Sequence, residues 1–306
     1  MKYYYKVYGL TVESDIVCDE LVLWDERLDN EIPDVIIELG ELPVEVQRLL
    51  EEGKTYQYES DLMWFKVPNI ATYCISKGKT VSINKDPKAT VLDVKQFLLG
   101  SCLGMIMLQR DMIAIHGGTV VINEKGLLIT GERGAGKSTL TSTLREKGYP
   151  LLADDVSAFK LNEVQPAYPQ QKVCEDMMEL LGYNPDHYRS ISLDSKKKYL
   201  IPVKNQFNNQ AKPVQAIIEL IDDNQVQNLE VKELKGTEKL MTIYRNIYRI
   251  EMKMYAGINP DFLKRCVELA QEVLVYQMRR PRGKWSVDHQ IEWIEQQFMM
   301  NKKLEA

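Results

Sequence analysis

Gly131, Gly136, Lys137 and Ser138 stand at the spacing G-x-x-x-x-G-K-S within the stretch GLLITGERGAGKSTLTSTLREKGYPLLADDV, residues 126 to 156. A glycine turn at that spacing can curl until successive backbone N–H groups point inward at phosphate oxygens. A helix opening there adds partial positive charge at the same place. Lys137 then reaches the β- and γ-phosphates, and Ser138 offers its hydroxyl to Mg²⁺. The nucleotide-binding stretch is read as Gly131, Glu132, Arg133, Gly134, Ala135, Gly136, Lys137, Ser138 and Thr139. By accident the pattern would arise in about one chain of this size per hundred. The apolar run GLLIT before it and STLTSTLREKG after it, a strand and a helix ending at Gly148, argue against accident.

Two further sets of side chains stand close to this loop in the sequence. The run LLADD ends in Asp154 and Asp155. An apolar strand ending in aspartate suits a carboxylate associated with Mg²⁺. Adjacent strand residues point to opposite faces. Two catalytic roles therefore require the strand to end or bend there; otherwise one aspartate is functional and the other a cap or solvated. His116 lies in the apolar run before the loop. If NEKG closes a hairpin with Ile122 facing Leu127, His116 falls opposite Arg133, give or take one residue. It is then either an imidazole beside the loop or a hydrogen-bonded core histidine. Gly117 and Gly118 allow close backbone approach next to it. His187 and His289 sit in polar surroundings and read as surface residues.

The elements that must position these groups follow from pattern. Residues 1–92 are β-rich, with YYYKVYGLTVES, PDVIIELG, LMWFKVPNIATYCIS and KTVSINKD between Gly, Pro, Asn and Asp. PVEVQRLLEEG suggests a short helix. VLDVKQFLLGSCLGMIMLQR is a mostly apolar helical stretch. Residues 93–306 form a second, mixed α/β domain. Its later strands are VQAIIELI and VQNLEVKEL, and its helices TEKLMTIYRNIYRIEMKM, PDFLKRCVELAQEVLVYQMR and SVDHQIEWIEQQFMMNKK.

The chain of 306 residues carries a net charge of -5 and a pI of about 5.5, so no basic field for nucleic acid surrounds it. Its five cysteines lie far apart, none in a C-x-x-C pair, which argues against a disulfide scaffold or zinc site. The start, MKYYYKVYGL, lacks the apolar core of a signal peptide, and no apolar run reads as a membrane span. The expectation is a cytoplasmic protein without membrane or nucleic-acid partners. Three weaker signals remain. DSKKKYLIPVK gathers Lys196, Lys197, Lys198 and Lys204, either near a phosphate or in a solvated loop. YPQQK offers Tyr168 and Lys172. RRPRG places Arg279, Arg280 and Arg282 after a helix, complementing its dipole or clamping a phosphate.

HGG before the hairpin, GERGAGKS and then LLADD together resemble the catalytic domain of the HPr kinase/phosphorylase superfamily, over about residues 112–156. The resemblance implies an α/β kinase domain with a mixed sheet and C-terminal helices. It implies ATP and Mg²⁺ as cofactors, and a serine-bearing protein or peptide as acceptor. Asp155 matches the family's general base, His116 its catalytic-region histidine, Lys137 the phosphate-loop lysine and Ser138 a metal ligand. Asp154 takes a Mg²⁺-water or orienting role. Thr139 stands where the bifunctional enzymes carry an acidic residue, and their second Glu-Ile-Arg-Gly-type motif is not found. The chain is therefore more similar to HPr-kinase-related proteins of bacteria than to a bifunctional HPr kinase. The family's rings imply self-association.

Three functions compete. The first is a serine kinase. The second is an ATP-sensing module without transfer, which would leave Asp155 no catalytic role. The third is a carboxykinase-like enzyme on a small acid, which should show metal-binding Lys/His sets that three histidines do not supply.

Overall fold

The computed structural model describes residues 1–25, 32–193 and 196–299. The chain packs into two units: residues 1–114 with 248–265, and residues 115–247 with 266–306.

Among the described residues of the first unit, eight strands form one sheet. They are β1 (Tyr3–Val7), β2 (Leu10–Ser14), β3 (Val22–Leu23), β4 (Val35–Leu39), β5 (Tyr56–Tyr58), β6 (Leu62–Val67), β7 (Ala71–Ser76) and β8 (Thr80–Lys85). Their order is β3-β1-β2-β4-β8-β7-β6-β5. The β-branched and aromatic runs expected as strands are strands. The helix Val44–Glu51 covers part of this sheet, burying Val46 and Leu49 with Trp64 and Cys74. A capping box at Thr90 and Asp93 starts the next helical stretch. It runs through a π-helical turn at Leu98–Cys102 to Gln109. That stretch, Val91–Gln109, is long and apolar enough to cross a membrane, which corrects the reading that no run is. Val94, Leu98, Cys102, Leu103 and Ile106 are almost wholly buried within the unit, and the Tyr73 hydroxyl donates to the Val94 carbonyl.

The second unit carries the glycine loop. β9 (Ile113–Ile122) and β10 (Lys125–Gly131) form a hairpin. Both strands are buried on both faces, which is why they read as unbroken apolar runs. β11 (Leu151–Ala153) pairs with β9. β12 (Val156–Lys160) and β13 (Glu163–Val164) lead to β17 (Lys212–Asp223), which runs parallel to β10. These pairings make a closed circuit of strands, β10-β9-β12-β13-β17. β19 (Leu274–Pro281) extends the sheet parallel to β17, and β18 (Glu230–Glu233) closes that edge. β14 (Gln170–Cys174), β16 (Lys196–Pro202) and β15 (Ser190–Leu193) form a separate antiparallel sheet. The helices Lys137–Glu146 and Val287–Met299 pack into the same core, through Leu140, Leu144, Ile291 and Ile294 against Leu127, Ile129, Ile218 and Met278. Each such aliphatic side chain contributes roughly 1.5–3 kcal/mol on burial.

Three further expectations are corrected. The hairpin turn is only Asn123 and Glu124, both at positive φ (49° and 60°), so Lys125 faces Ile122 and Leu127 faces Val120. Two left-handed residues suit the strand twist of a two-residue turn. Continued outward, that register sets His116 opposite Gly131 rather than Arg133. TEKLMTIYRNIYRIEMKM is two helices, Gly236–Arg245 and Ile250–Ala256. The break lets the Asn246 carbonyl accept from the His116 N–H and Ile247 bridge Ile115. PDFLKRCVELAQEVLVYQMR is the helix Pro260–Glu272 followed by β19. The tail LVYQM satisfies a period of two and pairs with β17, which wins over helix continuation.

Candidate active site

The loop between β10 and the helix Lys137–Glu146 is shaped by glycine. Gly131, Gly134 and Gly136 have φ of 132°, 88° and 103°. A Cβ on Gly131 would lie 2.4 Å from the Leu220 carbonyl oxygen of β17, so only glycine fits there. Gly136 caps the helix. The loop's outer side is braced by Arg280 of β19, whose Nε donates to the Ala135 carbonyl at 2.7 Å and whose Nη1 lies 3.2 Å from Asp222. This corrects the reading of RRPRG as a helix C-terminus: Arg279 and Arg280 belong to a strand and pair with Asp223 and Asp222. Lys137 folds back over the loop, its Nζ donating to the carbonyls of Gly131 (2.8 Å) and Glu132 (3.0 Å). Burial is the main cause holding its pKa down to about 8, with Lys198 adding to it and Asp155 opposing.

The aspartate pair sits where β11 ends. Asp155 adopts φ 64°, a left-handed conformation that aspartate tolerates better than most residues. The bend turns the two carboxylates to different partners. Asp154 is buried and accepts from the Lys172 backbone N–H at 2.8 Å. Burial, then the neighbouring Asp155, pushes its carboxyl up to about 6. Asp155 accepts from Lys172 Nζ at 2.7 Å through Oδ2. Burial opposes its ionisation, but Lys172 and His116 outweigh that and hold it well below the usual carboxylate range. Burial likewise works against the Lys172 charge, and Asp155 more than restores it.

His116 comes to the same place from β9. Its Nδ1 lies 3.0 Å from the Asp155 carbonyl oxygen and 3.8 Å from Oδ1. A carbonyl only accepts, so the neutral ring carries its proton on Nδ1 and its lone pair on Nε2. Burial first and Lys137 second lower its pKa, so it is neutral at pH 7. Gly117 permits this approach. Its N–H donates to the same Asp155 carbonyl, and a Cβ there would stand 2.2 Å from the Ile129 carbonyl oxygen. Behind it, Ser157 bonds both Thr119 and the Gly117 carbonyl.

The structure therefore brings together His116, Lys137, Asp154 and Asp155, with Ser138 in the first turn of the helix. His187 and His289 are exposed, as expected. Lys172, one of the weaker signals, is the ion partner of Asp155. Lys198 adds positive charge felt by both aspartates, by Lys137 and by His116. Lys197 and Lys204 are exposed, while the side chain of Lys196 lies outside the described residues. Three residues carried no sequence signal. Glu219, buried within β17, accepts from Arg245 Nε and Asn246 Nδ2 at 2.8 and 2.9 Å. These three, with Glu132, Arg133 and Arg282, line a cleft of about 470 Å³ beside the loop. Three lysines around two aspartates and a neutral histidine can receive an anion. An ionised carboxylate at their centre can take a proton.

Residues 109–184, which hold His116, the loop, both aspartates and Lys172, match the family model of the HPr Serine kinase C-terminal domain. An HPr kinase/phosphorylase of Aromatoleum aromaticum is 28% identical over 127 residues, 40% of this chain and 38% of that protein. That of Xanthomonas campestris pv. campestris is 33% identical over 94 residues, 29% of each. The chain thus spans less than half the length of these relatives. The solved Hpr(Ser) kinase/phosphatase of Coxiella burnetii aligns over 63% of this chain and 97% of its own, at 17% identity and a TM-score of 0.30. By sequence, the segment that carries the site is similar to the C-terminal domain of HPr serine kinases.

Proposed function

We propose that this protein is an ATP-dependent kinase that moves the γ-phosphate to a serine hydroxyl of a protein or peptide. One observation carries the reading. The chain leaves β11 through a left-handed residue, and that residue, Asp155, presents an ionised carboxylate beside His116 and the glycine loop. The bend, at about 1–3 kcal/mol of backbone strain, turns the Asp155 carboxylate away from Asp154 and toward Lys172 and His116, which supports a separate role for it.

The residues fit ATP with Mg²⁺. The positive-φ glycines curl the loop so that its backbone can turn toward phosphate oxygens, and Lys137 can exchange two carbonyls for them. No group of three or more His, Cys, Asp or Glu able to cage a metal occurs among the described residues. Ser138 and Asp154 would thus supply few protein ligands, as Mg²⁺ prefers when phosphates and water complete its shell. Bound there, ATP–Mg²⁺ supplies the phosphoryl group and neutralises its charge. Asp155 takes the proton of the serine hydroxyl as the new oxygen–phosphorus bond forms and the β–γ bridge breaks. Lys172 keeps Asp155 ionised and aimed. His116, neutral, anchors the Asp155 carbonyl.

Asp155→Asn keeps the shape and removes the base. ATP affinity should stay near wild type while single-turnover transfer falls by ~10²–10⁴-fold. Labelled ATP, tested against HPr and serine-bearing peptides with binding measured by calorimetry, decides it. Normal transfer by Asp155→Asn refutes the base. Wild-type protein that binds ATP and phosphorylates no hydroxyl supports the sensing role instead.

A further inference from the structure

A second, smaller cavity opens on the other side of the loop. Gly136, Thr139, Arg280, Lys284, Trp285, Ser286, Val287 and Gln290 line about 150 Å³ there. Trp285 is 54% exposed, whereas Trp24 and Trp64 are buried and Trp293 is partly buried against the core. It is not loose: its Nε1 donates to Asp288 Oδ2 at 2.8 Å, in the first turn of the helix Val287–Met299. Behind it the floor is set by Ser286 and Gln290, both almost wholly buried and bonded to each other at 3.0 Å. A large indole held by its edge, with its body open to water, offers a flat apolar face for a partner to stack on.

Its place relative to the loop says what that partner is. Asp155 and His116 mark the end of the site where phosphate would be transferred, and Lys137 faces them. A chain of phosphates lying in the loop must leave past the residues beyond Lys137 and Ser138. Thr139 is the next residue, and it lines this cavity. At the other end of the phosphates a nucleoside triphosphate carries a ribose and, on that sugar, a flat, aromatic, weakly polar base. We infer that Trp285 is the stacking platform for the nucleobase of a nucleoside triphosphate, with Lys284 beside it. The inference rests on the phosphate-loop reading above.

The affinity of a base for an aromatic platform is largely stacking, worth about 10- to 100-fold in binding. The test measures two probes, ATP and inorganic tripolyphosphate, by calorimetry on the full chain. Trp285→Ala should weaken ATP by about 10- to 100-fold and leave tripolyphosphate unchanged. Trp285→Phe, which keeps a stacking face, should restore most of the ATP affinity. Unchanged ATP binding in Trp285→Ala overturns the platform while leaving the phosphate loop standing. Equal losses for ATP and tripolyphosphate also overturn it, because the tryptophan would then support phosphates rather than a base. Wild-type protein that binds neither probe overturns the phosphate-loop reading, and the platform with it.

Discussion

Asp154→Asn should stabilise this protein at neutral pH, and the gain should vanish in acid. Asp154 is 9% exposed, and its carboxyl stands at about 6 against an ordinary 3.8. As pH rises from 3.8 the unfolded chain gives up this proton first, so the folded form binds more protons and stability falls until the pH passes 6. Above that the carboxylate costs about 3 kcal/mol, at 1.36 kcal/mol per pKa unit. Asparagine removes the charge and keeps an acceptor for the Lys172 N–H, though a neutral acceptor is weaker by about 1 kcal/mol. The net gain should be about 2 kcal/mol at pH 7.5, shrinking toward zero or below by pH 4. Urea denaturation across that range measures it. A variant less stable than wild type at pH 7.5, or a gain equal at both ends, would show that Asp154 is not an ionised carboxylate held against its preference.

Two further outcomes follow from the same cluster. Lys172→Met strands the Asp155 carboxylate and should cost about 2–4 kcal/mol at pH 7, less than for full burial because Asp155 is 32% exposed. The depressed Asp155 contributes stability above the ordinary carboxylate range and loses it as pH falls below, so the variant's deficit should narrow in acid denaturation below about pH 4; a constant deficit would refute the ion pair. His116→Ala should slow transfer by about 10²-fold while changing ATP affinity far less, since the ring holds Asp155 rather than the loop. Parallel calorimetry and single-turnover rates separate the two, and an equal loss in both would place His116 in binding.

What could be read from the sequence was what neighbours along the chain decide. The glycine loop is such a case, since its strand, its turn and its helix are consecutive. So is the bend at Asp154 and Asp155, because two useful carboxylates cannot leave a regular strand together. His116 was brought to the loop by hairpin register, but two residues out, because the turn uses two left-handed residues where a four-residue loop was assumed. Lys172 stayed ambiguous: it reaches Asp155 from β14, a strand of a different sheet, and nothing local records that pairing. Glu219, Arg245 and Asn246 were invisible for the same reason, coming from a strand and a helix end. The segment 260–281 misled because its apolar spacing serves a helix and a strand alike, and only pairing with β17 decides where one gives way to the other.

Arg280 settles when the glycine loop acquires its shape. Its guanidinium holds the Ala135 carbonyl from outside, while Leu220 crowds Gly131 from β17. The peptide planes are thus oriented by the sheet before any anion arrives. An anion entering the loop would spend little of its interaction energy on ordering the backbone. Its arrival should therefore be a single encounter step, without a slower phase of loop closure, and its residence time should be set by the strength of the contacts alone. The cost of that readiness is carried permanently by the folded chain, as a loop of aligned dipoles kept facing one another in the absence of a counter-charge.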